Sequence, residues 1–145
     1  MTARPMSGGC LCGAVRFTAM PPSREIAVCH CSMCRKWSAG PFLAIDGGTL
    51  NIDDESNLGI YRSSEWAERG FCKRCGSPLF YRLVGKEQYY VSAEAFDDRS
   101  GLTLTTQIFI DEKPPYYDFA NQTRNMTGAE VFAAFAPPAD GQSKG

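Results

Sequence analysis

All seven cysteines of the chain lie in three tight clusters, Cys10-x-Cys12, Cys29-x-Cys31-x-x-Cys34 and Cys72-x-x-Cys75. Thiolates at such spacings are metal ligands: a structural zinc site closes on four, whereas a catalytic one takes three protein ligands and keeps a position open. Seven thiols divide naturally into four plus three. The pairs Cys10/Cys12 and Cys72/Cys75 each present two sulfurs from one local bend and together make a Cys₄ set, with Gly9, Gly13 and Gly76 beside them, where backbone amides must turn toward sulfur. Bridging some sixty residues in this way costs about 1 kcal/mol more in closure entropy than bridging twenty, against a structural zinc binding energy of roughly 10 kcal/mol or more.

The middle cluster, Cys29-His30-Cys31-Ser32-Met33-Cys34, draws three thiolates from six residues. His30, the one histidine of the chain, is the obvious fourth ligand. However, if Cys29 and Cys31 face one ion from an extended segment, alternation sends the intervening imidazole to the opposite side. Three readings stay open: a zinc with a vacant position, a closed site completed by an Asp or Glu, or free thiols used in redox exchange. A disulfide framework fits less well, because the cysteine count is odd, the first nine residues hold no apolar run able to serve as a signal sequence, and neighbours one residue apart are awkward to bridge. The expected compartment is the cytoplasm.

The elements that must position these thiols are mostly short strands. β-Branched and aromatic residues between Gly, Asp, Asn and Pro breakers predict strands at 13–18, 42–45, 58–62, 79–83, 88–92 and 103–110. Thr127-Gly128-Ala129-Glu130 predicts a capped helix start, with Val131, Phe132 and Phe135 following on one face. Residues 31–37 have room for a turn of helix. With 145 residues the chain is expected to be one domain, ordered from about residue 7 to about 137, because the tail from Pro137 is too rich in Pro, Gly and polar residues to bury itself. Hydrophobic content is 43% without a stretch long enough to span a bilayer, so no membrane partner is expected. A net charge of −1 and a pI near 5.8 remove the electrostatic footprint of a nucleic-acid binder. The fold class that follows is mainly β: a zinc-stapled domain of short antiparallel strands with one short C-terminal helix.

Three segments carry a family resemblance: Gly8-Gly9-Cys10-Leu11-Cys12-Gly13-Ala14-Val15, Cys29-His30-Cys31-Ser32-Met33-Cys34-Arg35-Lys36, and Arg69-Gly70-Phe71-Cys72-Lys73-Arg74-Cys75-Gly76-Ser77-Pro78-Leu79. In order and spacing the chain resembles the glutathione-dependent formaldehyde-activating enzymes, a group that includes centromere protein V. The resemblance implies the β-tent fold of that group over residues 1–145 and two zinc ions per chain. Cys10, Cys12, Cys72 and Cys75 would hold the structural ion, and Cys29, Cys31 and Cys34 a second, more labile one. It also implies carbon–sulfur lyase chemistry, in which glutathione or another small thiol and an aldehyde combine reversibly as in S-hydroxymethylglutathione.

Three thiolates on one zinc leave net negative charge, so a nearby cation would help a thiol substrate bind. Arg35 and Lys36 are candidates, and solvated surface charge is their plainer role. Arg69 could bind a substrate carboxylate or serve the structure, and Trp37 and Phe42 could wall a pocket or fill the core. Many members of the family carry a His-Ile pair and a later Trp where this chain has Gln107-Ile108 and Pro114-Pro115-Tyr116-Tyr117, a difference that points to another thiol or aldehyde. The alternative of a different class is a zinc-stapled protein-binding module without catalysis. Oligomeric state has no sequence signal.

Overall fold

A computed structural model describes residues 4–135. Among them are eleven strands and two α-helices. In chain order these are β1 (Met6–Gly9), β2 (Arg16–Ala19), β3 (Glu25–Cys29), α1 (Ser32–Ser38), β4 (Phe42–Gly48), β5 (Leu50–Ile52), β6 (Leu58–Arg62), β7 (Ala67–Cys72), β8 (Pro78–Leu83), β9 (Tyr89–Ser92), β10 (Thr103–Ile108), β11 (Arg124–Met126) and α2 (Gly128–Phe135). The chain is mainly β, as the breaker pattern implies. Among the described residues no helix is long and apolar enough to cross a membrane. The expected disordered tail from Pro137 lies outside the described residues, whereas Met6, expected in a frayed start, is buried in β1.

The described residues pack as two units, 4–26 with 43–103, and 27–42 with 104–135. In the first, β1, β2 and β5 form an antiparallel sheet, and β4, β9, β8, β7 and β6 pair antiparallel in that order. Inward residues of both groups, among them Phe17, Ile45, Leu79, Phe80 and Val91, form one core with Val15 and Phe96 of the connecting segments, and it also includes Cys10 and Cys72. Phe17 meets Phe96 edge-to-face at 5.5 Å, a geometry favoured by the ring quadrupoles. Two of the cysteines are therefore anchored in packed apolar surface.

Strand β7 was not expected, because Glu68, Arg69 and Gly70 interrupt its apolar pattern. Its stability comes from the partner strand. Glu68 lies opposite Arg82 with an ion pair of 3.0 Å, and the Arg69 guanidinium stands 5.0 Å over the Tyr81 ring. Gly70 lies opposite Phe80, whose ring occupies the space where a Cβ would sit. Cross-strand pairs of this kind replace intrinsic propensity.

In the second unit Cys31 caps α1, its Sγ accepting from the Cys34 N–H at 3.3 Å. Unlike the antiparallel pairs expected, β10 and β11 are parallel. Between them the chain turns at Phe109, in the left-handed region at φ +55°, and enters a 3₁₀ turn over Ile110–Glu112. Helix α2 begins with the expected reciprocal cap: Glu130 N–H donates to Thr127 Oγ1 at 3.2 Å and Thr127 N–H to Glu130 Oε1 at 2.8 Å. Val131 of its apolar face is buried, and Phe132 meets Phe109 edge-to-face at 5.7 Å while staying half exposed.

Phe80 is only 2% exposed and has little room to swing away from an added methyl. Gly70→Ala is therefore expected to destabilise the chain by about 1–3 kcal/mol, measurable as a lower midpoint in urea unfolding; an unchanged midpoint would mean that the ring is free to move.

Candidate metal centres

The first unit brings together Cys10, Cys12, Cys72 and Cys75, and the second Cys29, Cys31 and Cys34; within each group all sulfurs lie within 4.8 Å of one another. Among the described residues these are the groups able to hold an ion. The partition into four and three thiols matches the one read from spacing.

The four-sulfur group is built from two bends of one design. Cys10 N–H donates to Val15 O at 3.0 Å and Cys72 N–H to Ser77 O at 3.1 Å, closing each bend at its base. At the tip, Gly13 N–H returns to Cys10 O at 3.2 Å and Gly76 N–H to Cys72 O at 2.8 Å. Gly13 and Gly76 have φ of +84° and +81°, which other residues rarely adopt. Backbone N–H groups then point at sulfur: Val15 at Cys10 Sγ, 3.3 Å, and Arg74 and Cys75 at Cys72 Sγ, 3.3 and 3.4 Å. Ser77, not singled out by sequence reasoning, links the bends, its Oγ accepting from Leu11 N–H at 3.0 Å and lying 3.2 Å from Cys75 Sγ. Its visible signal was only its place two residues after the last cysteine.

Sulfur spacing tests whether a metal fits. Four ligands about 2.3 Å from a tetrahedral zinc stand about 3.8 Å apart; Cys10 and Cys12 Sγ are 3.7 Å apart, and Cys12 and Cys72 Sγ 3.8 Å. The Ser77 hydroxyl and backbone N–H lower the Cys75 thiol to about 5. Although the Ala14 N–H favours the Cys12 thiolate, desolvation and the other three sulfurs leave that thiol raised to about 11. Sulfurs that cannot ionise together beside one another are suited to a shared cation.

The second cluster shows the same conflict. Hydrogen bonds from Cys29 and Cys34, with the backbone N–H groups of Cys34 and Met33, pull the Cys31 thiol down to about 2 against burial. The same contacts with Cys31 and Cys34, reinforced by burial, push Cys29 far up. Cys29 comes from the end of β3 and Cys34 from α1, and both are buried.

His30 is turned away from the sulfurs, as alternation requires, and is fully buried. Its Nδ1 lies 2.8 Å from Tyr117 Oη and its Nε2 2.8 Å from Gln107 Oε1. Burial lowers the His30 pKa and raises that of Tyr117. Gln107 and Tyr117, one from each of the two segments that depart from the family pattern, thus meet on one imidazole. Glu112, which no sequence motif marked, accepts from the Ser32 N–H at 2.8 Å.

Of the expected substrate contacts, Arg35 donates from Nε to His30 O at 2.8 Å and Lys36 is exposed. Arg69 belongs to the first unit, is 3% exposed and bonds Ser63 Oγ at 3.1 Å, a structural role. Trp37 and Phe42 meet edge-to-face at 5.4 Å with Phe42 buried, which is core packing. Tyr116 is exposed, its ring against that of Tyr117. A recess of about 490 Å³ runs past Gln107, Lys113, Phe119 and Thr123. Its one lysine is committed to Asp118 Oδ1 at 2.7 Å and to the Tyr117 and Pro114 carbonyls.

The chain is similar to known proteins. The family model described as glutathione-dependent formaldehyde-activating enzyme matches residues 5–112. An uncharacterized lyase of Schizosaccharomyces pombe is 39% identical over 126 residues, 86% of this chain and 92% of its own. A putative glutathione-dependent formaldehyde-activating enzyme of Halomonas elongata is 36% identical over 85 residues, covering 52% of this chain and 54% of that one. A crystal structure of a Rhodobacter sphaeroides protein superposes with a TM-score of 0.55 at 25% identity, over 63% of this chain and 88% of that one. With the family model covering all three cysteine clusters, the chain belongs to the glutathione-dependent formaldehyde-activating enzyme family.

Proposed function

We propose that the chain is a zinc-dependent enzyme of the carbon–sulfur lyase type, acting reversibly on the adduct of a small thiol, such as glutathione, with an aldehyde. The observation that carries this reading is the composition of the second cluster: three cysteines converge, while the neighbouring histidine is bound elsewhere through both ring nitrogens. Three ligands leave room for a fourth from outside. The family match and the printed names of the two relatives support the reaction class.

Cys10, Cys12, Cys72 and Cys75 would hold a structural zinc and Cys29, Cys31 and Cys34 the second. When bound there, zinc supplies Lewis acidity that lowers the pKa of an incoming thiol. The residues of the chain supply the rest. Backbone N–H groups at Cys31 favour its thiolate, and Arg35, bound through Nε to the carbonyl of His30 between the first two cysteines, is the cation proposed to offset their negative charge toward an anionic thiol. In the synthetic direction the sulfur of the thiol forms a bond to the carbonyl carbon, the C=O π pair moves to oxygen, and the thiol proton ends on that oxygen. In the reverse direction the carbon–sulfur bond breaks and thiol and aldehyde are released, with no change of oxidation state. Placing the thiol on a fixed centre removes much of the entropic cost of a two-body encounter.

The two clusters are assigned different roles, so their variants should differ. Cys72→Ser is expected to aggregate or unfold, because a structural zinc contributes roughly 10 kcal/mol or more to folding; a soluble variant melting like the parent would sink that assignment. Cys31→Ser is expected to stay folded with one ion fewer by metal analysis, and unfolding as severe as that of Cys72→Ser would contradict the division. Anaerobically purified protein is expected to hold two zinc ions, one of them released by a mild chelator and shielded by added glutathione. Two ions indifferent to any small thiol would instead favour a zinc-stapled binding module.

A further inference from the structure

We propose that Tyr117, Gln107 and Glu112 are positioning residues that set the metal affinity of the Cys29, Cys31 and Cys34 cluster by gripping the two residues that follow its first two sulfurs. Ligand positions 29 and 31 alternate with positions 30 and 32, and both of the latter are held by the segment 107–117. His30 N–H donates to Ile108 O at 3.1 Å, its ring joins Gln107 and Tyr117 at 2.8 Å each, and Ser32 N–H donates to Glu112 at 2.8 Å. On an extended segment, a rotation that swings residue 30 one way carries residues 29 and 31 the other. A fixed imidazole therefore fixes the aim of the two sulfurs.

The hydrogen bonds define the direction of the whole chain of contacts. Thr123 Oγ1 donates to Asn125 Oδ1 at 2.7 Å, so it accepts from Gln107 Nε2 at 2.9 Å. That turns Gln107 Oε1 to His30, which must carry its proton on Nε2, and leaves Nδ1 to accept from the Tyr117 hydroxyl. The result is one run of donors, Tyr117 to His30 to Gln107 to Thr123 to Asn125. Lys113 pins the far end by donating to the Tyr117 carbonyl at 2.6 Å. With the imidazole fully buried, deleting either partner strands a ring nitrogen away from water. Groups that orient metal ligands from behind in this way typically govern affinity by about 10–100-fold.

This inference rests on the reading of the cluster as a metal site and not on the reaction proposed for it. The test uses cobalt(II) alone, titrated anaerobically into the full chain after mild chelation and read by its thiolate charge-transfer and ligand-field bands. Signal absent from Cys31→Ser assigns the site. Tyr117→Phe and Gln107→Leu are each expected to weaken Cys31-dependent cobalt binding about 10–100-fold and to shift its ligand-field bands. Val131→Ala, which loosens α2 in the same unit, is expected to lower the melting temperature while leaving cobalt affinity and spectrum unchanged. Wild-type cobalt binding and bands in both Tyr117→Phe and Gln107→Leu would overturn the inference, as would an equal loss in Val131→Ala, which would mark general loosening. Wild-type protein with no Cys31-dependent cobalt signal would overturn the metal-site reading itself and the inference with it.

Discussion

Thiolates repel one another, and much of this chain is arranged around places where several are brought within a few ångströms. Sulfurs 3.7 and 3.8 Å apart in the first cluster match the edges of a zinc tetrahedron, yet without a positive charge between them they cannot all ionise. The opposed shifts of Cys12 and Cys75, and of Cys29 and Cys31, express that one conflict twice. Backbone N–H groups aimed at Cys10 and Cys31 ease it in part. The remainder is what a bound cation would relieve.

The same constraint explains how the scaffold is used. Cys10 and Cys72 sit within the apolar core of the first unit, so their sulfurs inherit the rigidity of packed β-structure. Cys12 and Cys75 lie farther out, on the arms of two bends whose turns need Gly13 and Gly76. Each bend thus offers one anchored and one more accessible sulfur. In the second unit β3 and a short helix take over: the end of the strand supplies Cys29, the helix cap Cys31 and the helix interior Cys34.

The chemistry was more legible in the sequence than the elements carrying it. Cysteine spacing alone gave both groups of sulfurs, and strand alternation placed His30 away from them. The capping box at Thr127 and the strands with continuous β-branched or aromatic residues were equally plain. Strands β1, β3, β5, β7 and β11 were not, for physical reasons. Met6–Gly9 is half glycine and extended because Gly8 lets the backbone at Ala95 and the Phe17 ring approach closely. In β7 the charged residues are satisfied by the neighbouring strand, which no local pattern reveals. The short β11 is set by pairing with β10 across a long connection. Gln107, Glu112 and Tyr117 belong to this class too: each reaches His30 or Ser32 from about eighty residues away, and only the folded chain brings them there.

Sequence separation also distinguishes the two clusters energetically. Cys12 and Cys72 are 60 positions apart, so an ion between them closes a long loop as well as neutralising four sulfurs. Its binding free energy is inseparable from that of bringing the bends together. Cys29 and Cys34 are only five positions apart, and their segment is already ordered by a helix cap and by the contacts to His30 and Ser32. An ion there closes almost no loop, and its departure leaves those hydrogen bonds in place. The ligand set that is cheapest to leave empty is thus also the one with three thiols rather than four. That combination would suit the repeated ligand exchange that the proposed reaction requires while the fold around it stays intact.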